Sequence, residues 1–307
     1  MIQAVNLEAV EERVDCVLCG PGPTRFYDAL GGRQFVQCRR CGLVFQNPRI
    51  IHNYLMLKGA IRYDTNYFYR QAGRLENISS KVQEARLKVY RKELATLEKY
   101  STGGRIFDVG CGTGRFLAFF PDRWEKHGCD ISADGVKIAR EQYGLRNVQL
   151  GEFETLDLSE DYYDAVYFRA SLHHVYNPMT SLEKAARILK KNGCLVVFTN
   201  CRTGLSGRLL RCRTRTVNVN VTYFFDPRVL ARMLDRIGFR IQESFAPYWG
   251  TGYESYSDLP VLLLTALAIR VIRPALGRRG HKAFDGLVGP AWHKNSVVYF
   301  CARKKNS

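Results

Sequence analysis

The chain has 307 residues, 46% of them hydrophobic, enough for one large core and a small appendage. Its opening, MIQAVNLEAVEERVD, carries acids and no apolar block, and no run approaches the ~20 apolar residues of a membrane span, so neither a secretory leader nor a spanning helix is expected. The net charge of +17 fits an anionic partner (a nucleotide-linked or phosphorylated substrate, an acidic membrane surface, or RNA) and alone does not choose among them.

Ten cysteines without an export signal predict a reduced, cytoplasmic protein in which cysteine pairs serve metals rather than disulfides. Cys16-x-x-Cys19-Gly20 comes first and Cys38-x-x-Cys41-Gly42 follows. Two such tight turns can set four thiolates at the corners of a tetrahedron around Zn²⁺, at about 2.3 Å each. Gly22, Gly31 and Gly32 and a strand-like run over 34–37 between the pairs suit a small zinc ribbon over 1–48. A two-disulfide unit is the alternative, disfavoured by the reducing compartment. Four thiolates leave no open position, so the metal is expected to be structural.

Residues 46–69 are aromatic and irregular. A helix is predicted over 76–99, where Ile78, Val82, Ala85, Val89, Leu94 and Leu97 recur at helical spacing, and 49–104 is expected to be a helical linker. Ser101-Thr102-Gly103-Gly104 ends the helix. Alternation then begins. Strands are predicted over 105–109, 124–129, 147–150, 164–168 and 194–199, with helices over 133–143 and 178–190 and a short one after Gly114. That order implies an α/β fold with a parallel sheet covered on both faces. Asp226 as N-cap, Pro227 and Gly238 frame a helix over 226–237. Two more strands follow over 239–245 and 296–302, separated by an insertion over 246–295.

The densest signal is IFDVGCGTGRF at 106–116, where a strand-like run ends in an acid and Gly110, Gly112 and Gly114 follow at alternate positions. Such a loop lets a ligand approach the backbone. Asp130 lies twenty positions after Gly110, where a carboxylate can accept hydrogen bonds from both hydroxyls of a ribose. The dinucleotide fingerprint G-x-G-x-x-G would put its third glycine at Arg115, whereas this loop reads D-x-G-x-G-x-G from Asp108 to Gly114.

From this loop through GCDIS, LGEFETLD, YYDAVYFRASLHHVYNP and RILKKNGCLVVFTN to FFDPRVLARMLDRIGF, the chain resembles class I S-adenosylmethionine-dependent methyltransferases over most of its length after Arg105. The leading four-cysteine unit with CGLVFQNPR also resembles bacterial members from natural-product and cell-surface glycan pathways. The resemblance implies a Rossmann-like methyltransferase domain over 105–307. It also implies S-adenosylmethionine as cofactor, so the loop would face methionine and ribose rather than phosphate. By the same resemblance Asp108, Gly110, Gly112 and Gly114 form the first motif, Asp130 holds the ribose, Ile131 lies beside the adenine, and Glu152 stands near the adenine amine. Arg169 and Ala170 would flank the methionine end.

A hydroxyl acceptor needs a general base, and His173 and His174, just after the fourth strand, are the candidates, set against a purely packing role. His174 or Tyr176 could equally touch the acceptor, and Asn200 and Tyr223 are expected on the acceptor side. The leading expectation is a small-molecule or glycan-type anionic acceptor, nucleotide- or lipid-linked. An RNA methyltransferase is the alternative, although RASLHHVYNP lacks the N/D-P-P-Y/F text of enzymes that methylate base amines. A non-enzymatic binding protein is a third, against which the intact loop and Asp130 argue. Two basic clusters, Arg202, Arg208, Arg211, Arg213 and Arg215, and Arg270, Arg273, Arg278, Arg279 and Lys282, carry much of the charge excess. Within the insertion, LPVLLLTALAIRVI (259–272) is too short to span a bilayer. It reads either as a packed lid, slightly favoured, or, through 259–282, as a peripheral contact with the inner membrane face.

Overall fold

A computed structural model describes residues 11–51, 80–214, 221–248, 259–272, 275 and 296–303. Residues 76–79 of the predicted first helix, most of the insertion, and Arg215, Arg273, Arg278, Arg279 and Lys282 lie outside the described residues.

The N-terminal unit begins with β1 (Glu11–Glu12) and then forms an antiparallel meander of β2 (Thr24–Leu30), β3 (Arg33–Cys38) and β4 (Val44–Gln46). β5 (Arg49–Ile50) returns to pair with β1. Helix α1 (Ser80–Leu97) then leads into the large sheet.

That sheet alternates strand and helix as expected: β6 (Gly104–Val109), α2 (Arg115–Ala118), β7 (Trp124–Asp130), α3 (Ala133–Glu141), β8 (Asn147–Leu150), β9 (Tyr163–Arg169), α4 (Pro178–Ile188) and β10 (Leu189–Asn200). After α5 (Leu205–Leu210) come β11 (Tyr223–Phe224), α6 (Pro227–Arg236), β12 (Phe239–Phe245), α7 (Leu259–Leu267) and β13 (Ser296–Arg303). The strand order is β12-β13-β10-β9-β6-β7-β8. β10, β9, β6, β7 and β8 run parallel, but β13 is antiparallel to both β10 and β12, so the sheet is mixed rather than wholly parallel.

The helices begin where local chemistry dictates. The Asn177 side chain accepts from the Met179 and Thr180 amides with Pro178 next to it, and Asp226 accepts from the Val229 amide ahead of Pro227. α4 stops two residues before the predicted end, because Leu189 is extended and pairs with Tyr163 of β9.

Both faces of the sheet are covered. Along β9, Val166 and Phe168 enter one core while Ala165 and Tyr167 enter the other, where α1 adds Tyr90 and Leu97. The first core also contains Cys16, Leu18, Leu43 and Phe45 of the N-terminal unit. β11 pairs antiparallel with β4, completing a four-stranded sheet of order β11-β4-β3-β2. Residue 48 is therefore no packing boundary: a strand from the far half of the chain finishes the N-terminal sheet. The basic residues around α5 do not form one patch either. Arg202 is paired with Asp226, and Arg213 is buried and donates to the Ala29 carbonyl, which leaves Arg208 and Arg211 exposed.

Candidate active site and thiol cluster

The C-terminal ends of β6, β7 and β9 surround a cavity of about 290 Å³. Its glycine loop depends on left-handed backbone: φ is +72° at Gly110, +56° at Gly112 and +73° at Gly114. At Gly110 a Cβ would also stand 2.8 Å from Cβ of Ser171, so the loop and the turn after β9 press together to form the cavity wall. That turn is itself bent sharply, with Ala170 at φ +60° and its amide donating to the Phe198 carbonyl at 2.8 Å.

Asp130 is the centre of the wall. One carboxylate oxygen accepts from the Gly112 amide at 2.8 Å and the other from the Ser132 amide at 2.9 Å. The helix cap proper is Ser132, which accepts from the Gly135 amide, so Asp130 is not consumed in capping. Burial raises its carboxyl above the usual range while these amides oppose the shift. Each oxygen retains a second lone pair for a hydroxyl donor.

Of the residues expected to bind cofactor, Gly110, Gly112, Asp130, Ile131 and Glu152 line the cavity, as do Ala170, His174 and Tyr176. Gly114, Asp108 and Arg169 do not. Gly114 serves packing at the start of α2, where a Cβ would meet Leu145 at 2.3 Å. Asp108 is 2% exposed and its Oδ1 has no hydrogen-bond partner; burial pushes its carboxyl up to about 8. Arg169 turns away onto fully buried Glu93 of α1, at 2.9 Å, and lies over the rings of Tyr90, Phe116 and Phe198.

The two histidines separate. His173 is buried, with Nδ1 3.2 Å from the Thr199 hydroxyl, and its carbonyl accepts from the Thr222 and Tyr223 amides. Burial, aided by His174, pushes its ring well below the ordinary imidazole range, so it stays neutral. Only His174 reaches the cavity, its ring 4.2 Å from that of His173. Neither Asn200 nor Tyr223 lines it. Tyr223 is instead buried and donates to the Tyr176 carbonyl at 3.0 Å.

Sequence reading missed several wall residues. Ser171 and Phe153 directly follow Ala170 and Glu152, Glu154 lies two positions past Glu152, and proximity in the chain was their signal. Arg49 and Glu12, which support the wall without lining it, had none. Arg49 donates to the Tyr176 carbonyl at 2.7 Å, lies 3.7 Å over its ring, and pairs with Glu12, which also accepts from the Tyr176 hydroxyl. The N-terminal unit thus holds one wall of the cavity.

A broader depression of about 550 Å³ lies past the end of β10, lined by Lys92, Cys201, Phe245 and Tyr299 among others. The ion pair connects the two walls: Glu93 follows Lys92, and Arg169 precedes Ala170.

In the N-terminal unit the sulfur atoms of Cys16, Cys19, Cys38 and Cys41 all lie within 4.8 Å of one another, with Cys16 and Cys41 at 3.5 Å. A tetrahedral Zn–S₄ centre with bonds of about 2.3 Å has sulfur atoms about 3.8 Å apart, so the spacing fits such an ion. The hydrogen bond with Cys41 holds the Cys16 thiol down at about 5. All four thiols are free of disulfide bonds.

A family described as Methyltransferase domain matches residues 107–197, which include the glycine loop, Asp130 and His174. The chain is 28% identical over 153 residues to an uncharacterised protein, MJ1123, of Methanocaldococcus jannaschii, covering 50% of this chain and 72% of that one. It is 28% identical over 123 residues to a tRNA (carboxymethyluridine(34)-5-O)-methyltransferase of Arabidopsis thaliana, covering 39% of this chain and 30% of that one. Among solved structures, a Thermotoga maritima protein described as an S-adenosylmethionine-dependent methyltransferase, possible histamine N-methyltransferase, is 23% identical, with a TM-score of 0.47 and coverage of 76% of this chain and 97% of that one.

Proposed function

This chain is an S-adenosylmethionine-dependent methyltransferase, and from that premise we propose that it binds the cofactor in the cavity around Asp130 and methylates a small-molecule or glycan-type anionic acceptor. One observation carries the cofactor assignment. The described wall of the cavity contains three carboxylates, Asp130, Glu152 and Glu154, and no lysine or arginine. Such a wall repels phosphate and favours a cation. A sulfonium cofactor fits it and a dinucleotide does not.

When bound, S-adenosylmethionine supplies an electrophilic methyl group. Asp130 accepts the ribose hydroxyls, Ile131 packs beside the adenine, and Glu152 accepts from its amine. The Gly110–Ser171 contact shapes the methionine end. His174 is placed to take a proton from a hydroxyl acceptor, while neutral, buried His173 fixes the turn that carries it. Lys92, at the edge of the broader depression, meets the acceptor's negative charge. The four cysteines would hold a structural Zn²⁺, tying the turn at 16–20 to the turn between β3 and β4.

Calorimetry with S-adenosylhomocysteine tests the assignment. Asp130→Ala should weaken binding about tenfold or more, since two charge-assisted hydrogen bonds are lost. Unchanged affinity would refute it. A screen of sugar nucleotides, phosphorylated metabolites and tRNA with labelled cofactor then identifies the acceptor, and transfer to tRNA alone would replace the small-molecule reading.

A further inference from the structure

The stretch 259–272 continues from α7 into a wider turn, Ala268–Ile272. One side is committed: Leu262 and Ala266 are buried with Leu210 of α5. The other side is bare. Val261, Leu263, Leu264, Leu267, Val271 and Ile272 are each 43–66% exposed, and Leu205 at the start of α5 is 43% exposed. Single exposed apolar residues are ordinary, but six within twelve positions is not. None of these residues lines either of the two cavities described above.

Charge indicates the occupant. Neither 259–272 nor the preceding basic stretch 201–214 contains an acid. Arg208 and Arg270 are exposed, and Arg270 donates to the Arg208 carbonyl, which brings the arginine of α5 beside the apolar stretch. A symmetric contact between two copies would set these cations against their own equivalents. An anionic lipid surface neutralises them instead. At about 1.5 Å per residue the stretch measures roughly 21 Å, short of a hydrocarbon core of about 30 Å. It can lie in the interface plane but not cross it. We infer that 259–272 is a membrane-docking element that sinks its leucine-rich side into the headgroup boundary of an anionic bilayer while Arg208 and Arg270 meet the headgroups. This inference is independent of the acceptor's identity.

Vesicle sedimentation tests it. The unmodified protein should pellet with vesicles containing phosphatidylglycerol and not with pure phosphatidylcholine, and raised salt should release it. The Leu264→Glu/Leu267→Glu double variant should bind at least about tenfold less while retaining its affinity for S-adenosylhomocysteine, because both side chains face solvent. Arg208→Gln/Arg270→Gln, which leaves the apolar side intact, should weaken binding severalfold and reduce its salt dependence. Absence of vesicle binding by the unmodified protein would overturn the inference, with no variant needed. So would concentration-dependent dimerisation without lipid that the leucine variant abolishes, because the surface would then be a self-interface.

Discussion

The glycine loop at 110–114 and the cysteine turns at 16–20 and 38–42 use the same backbone device for opposite ends. Gly20 and Gly42 sit at φ +67° and +84°, much like Gly110 and Gly114 at +72° and +73°. What surrounds them differs. A Cβ at Gly20 would meet nothing within 4 Å, so there glycine is required for conformation alone. At Gly114 it would strike Leu145 at 2.3 Å and Ala139 at 3.1 Å. The cysteine turns close on their own thiols. The loop closes against the rest of the fold and leaves a hollow. Two turns that gather each other's thiols make a compact cluster, while a turn that needs the rest of the fold to complete it makes a binding site.

The largest expected effect concerns the thiol cluster. Cys38→Ser, or strong chelation, should destabilise the protein by several kcal/mol, about 3 or more. Because β4 carries β11, the loss should shift one cooperative thermal transition. Two transitions, the upper one unmoved, would show that the cysteine unit stands apart, and elemental analysis finding no zinc in reduced protein would remove the metal. Next comes Gly114→Ala, which combines left-handed strain with a steric clash and should cost about 2–4 kcal/mol in urea unfolding. Asp108 tests the loop by pH. Its folded carboxyl holds a proton up to about 8, so the folded state binds more protons than the unfolded one above the ordinary carboxylate range. Stability of the cofactor-free protein should therefore fall as pH rises towards 8, and Asp108→Asn should flatten that slope. Glu93, also raised by burial, contributes with the same sign. The smallest effect is Gly20→Ala, where strain acts without a clash: about 1–2 kcal/mol. A cost equal to that of Gly114→Ala would erase the distinction between the two turns.

Much of this architecture is legible because it is local. The strand at 147–150 falls where alternation put it, and Asp226, Pro227 and Gly238 frame α6 as capping chemistry requires. The two C-x-x-C-G turns converge as their spacing implied. What escaped is relational. Arg169 stands beside the site in sequence, yet its side chain follows Glu93, 76 positions away. Adjacent histidines gave no sign of which would be buried. β11, two residues long, has no periodicity to detect, and only tertiary pairing defines it. Long-range partners set these outcomes, and a linear pattern does not record them.

The pairing of β4 with β11 also sets a schedule for synthesis. Gln46 donates to the Val221 carbonyl across 175 positions. At about 5–20 residues per second, β4 leaves the ribosome roughly 9–35 s before its partner strand exists. Through that interval Phe45, fully packed in the finished protein, has an open strand edge beside it. Early ligation by the cysteines would hold the meander together while it waits. With the proposed zinc site, metal supply during translation, rather than afterwards, would then bear on how much of the newborn chain reaches the native state.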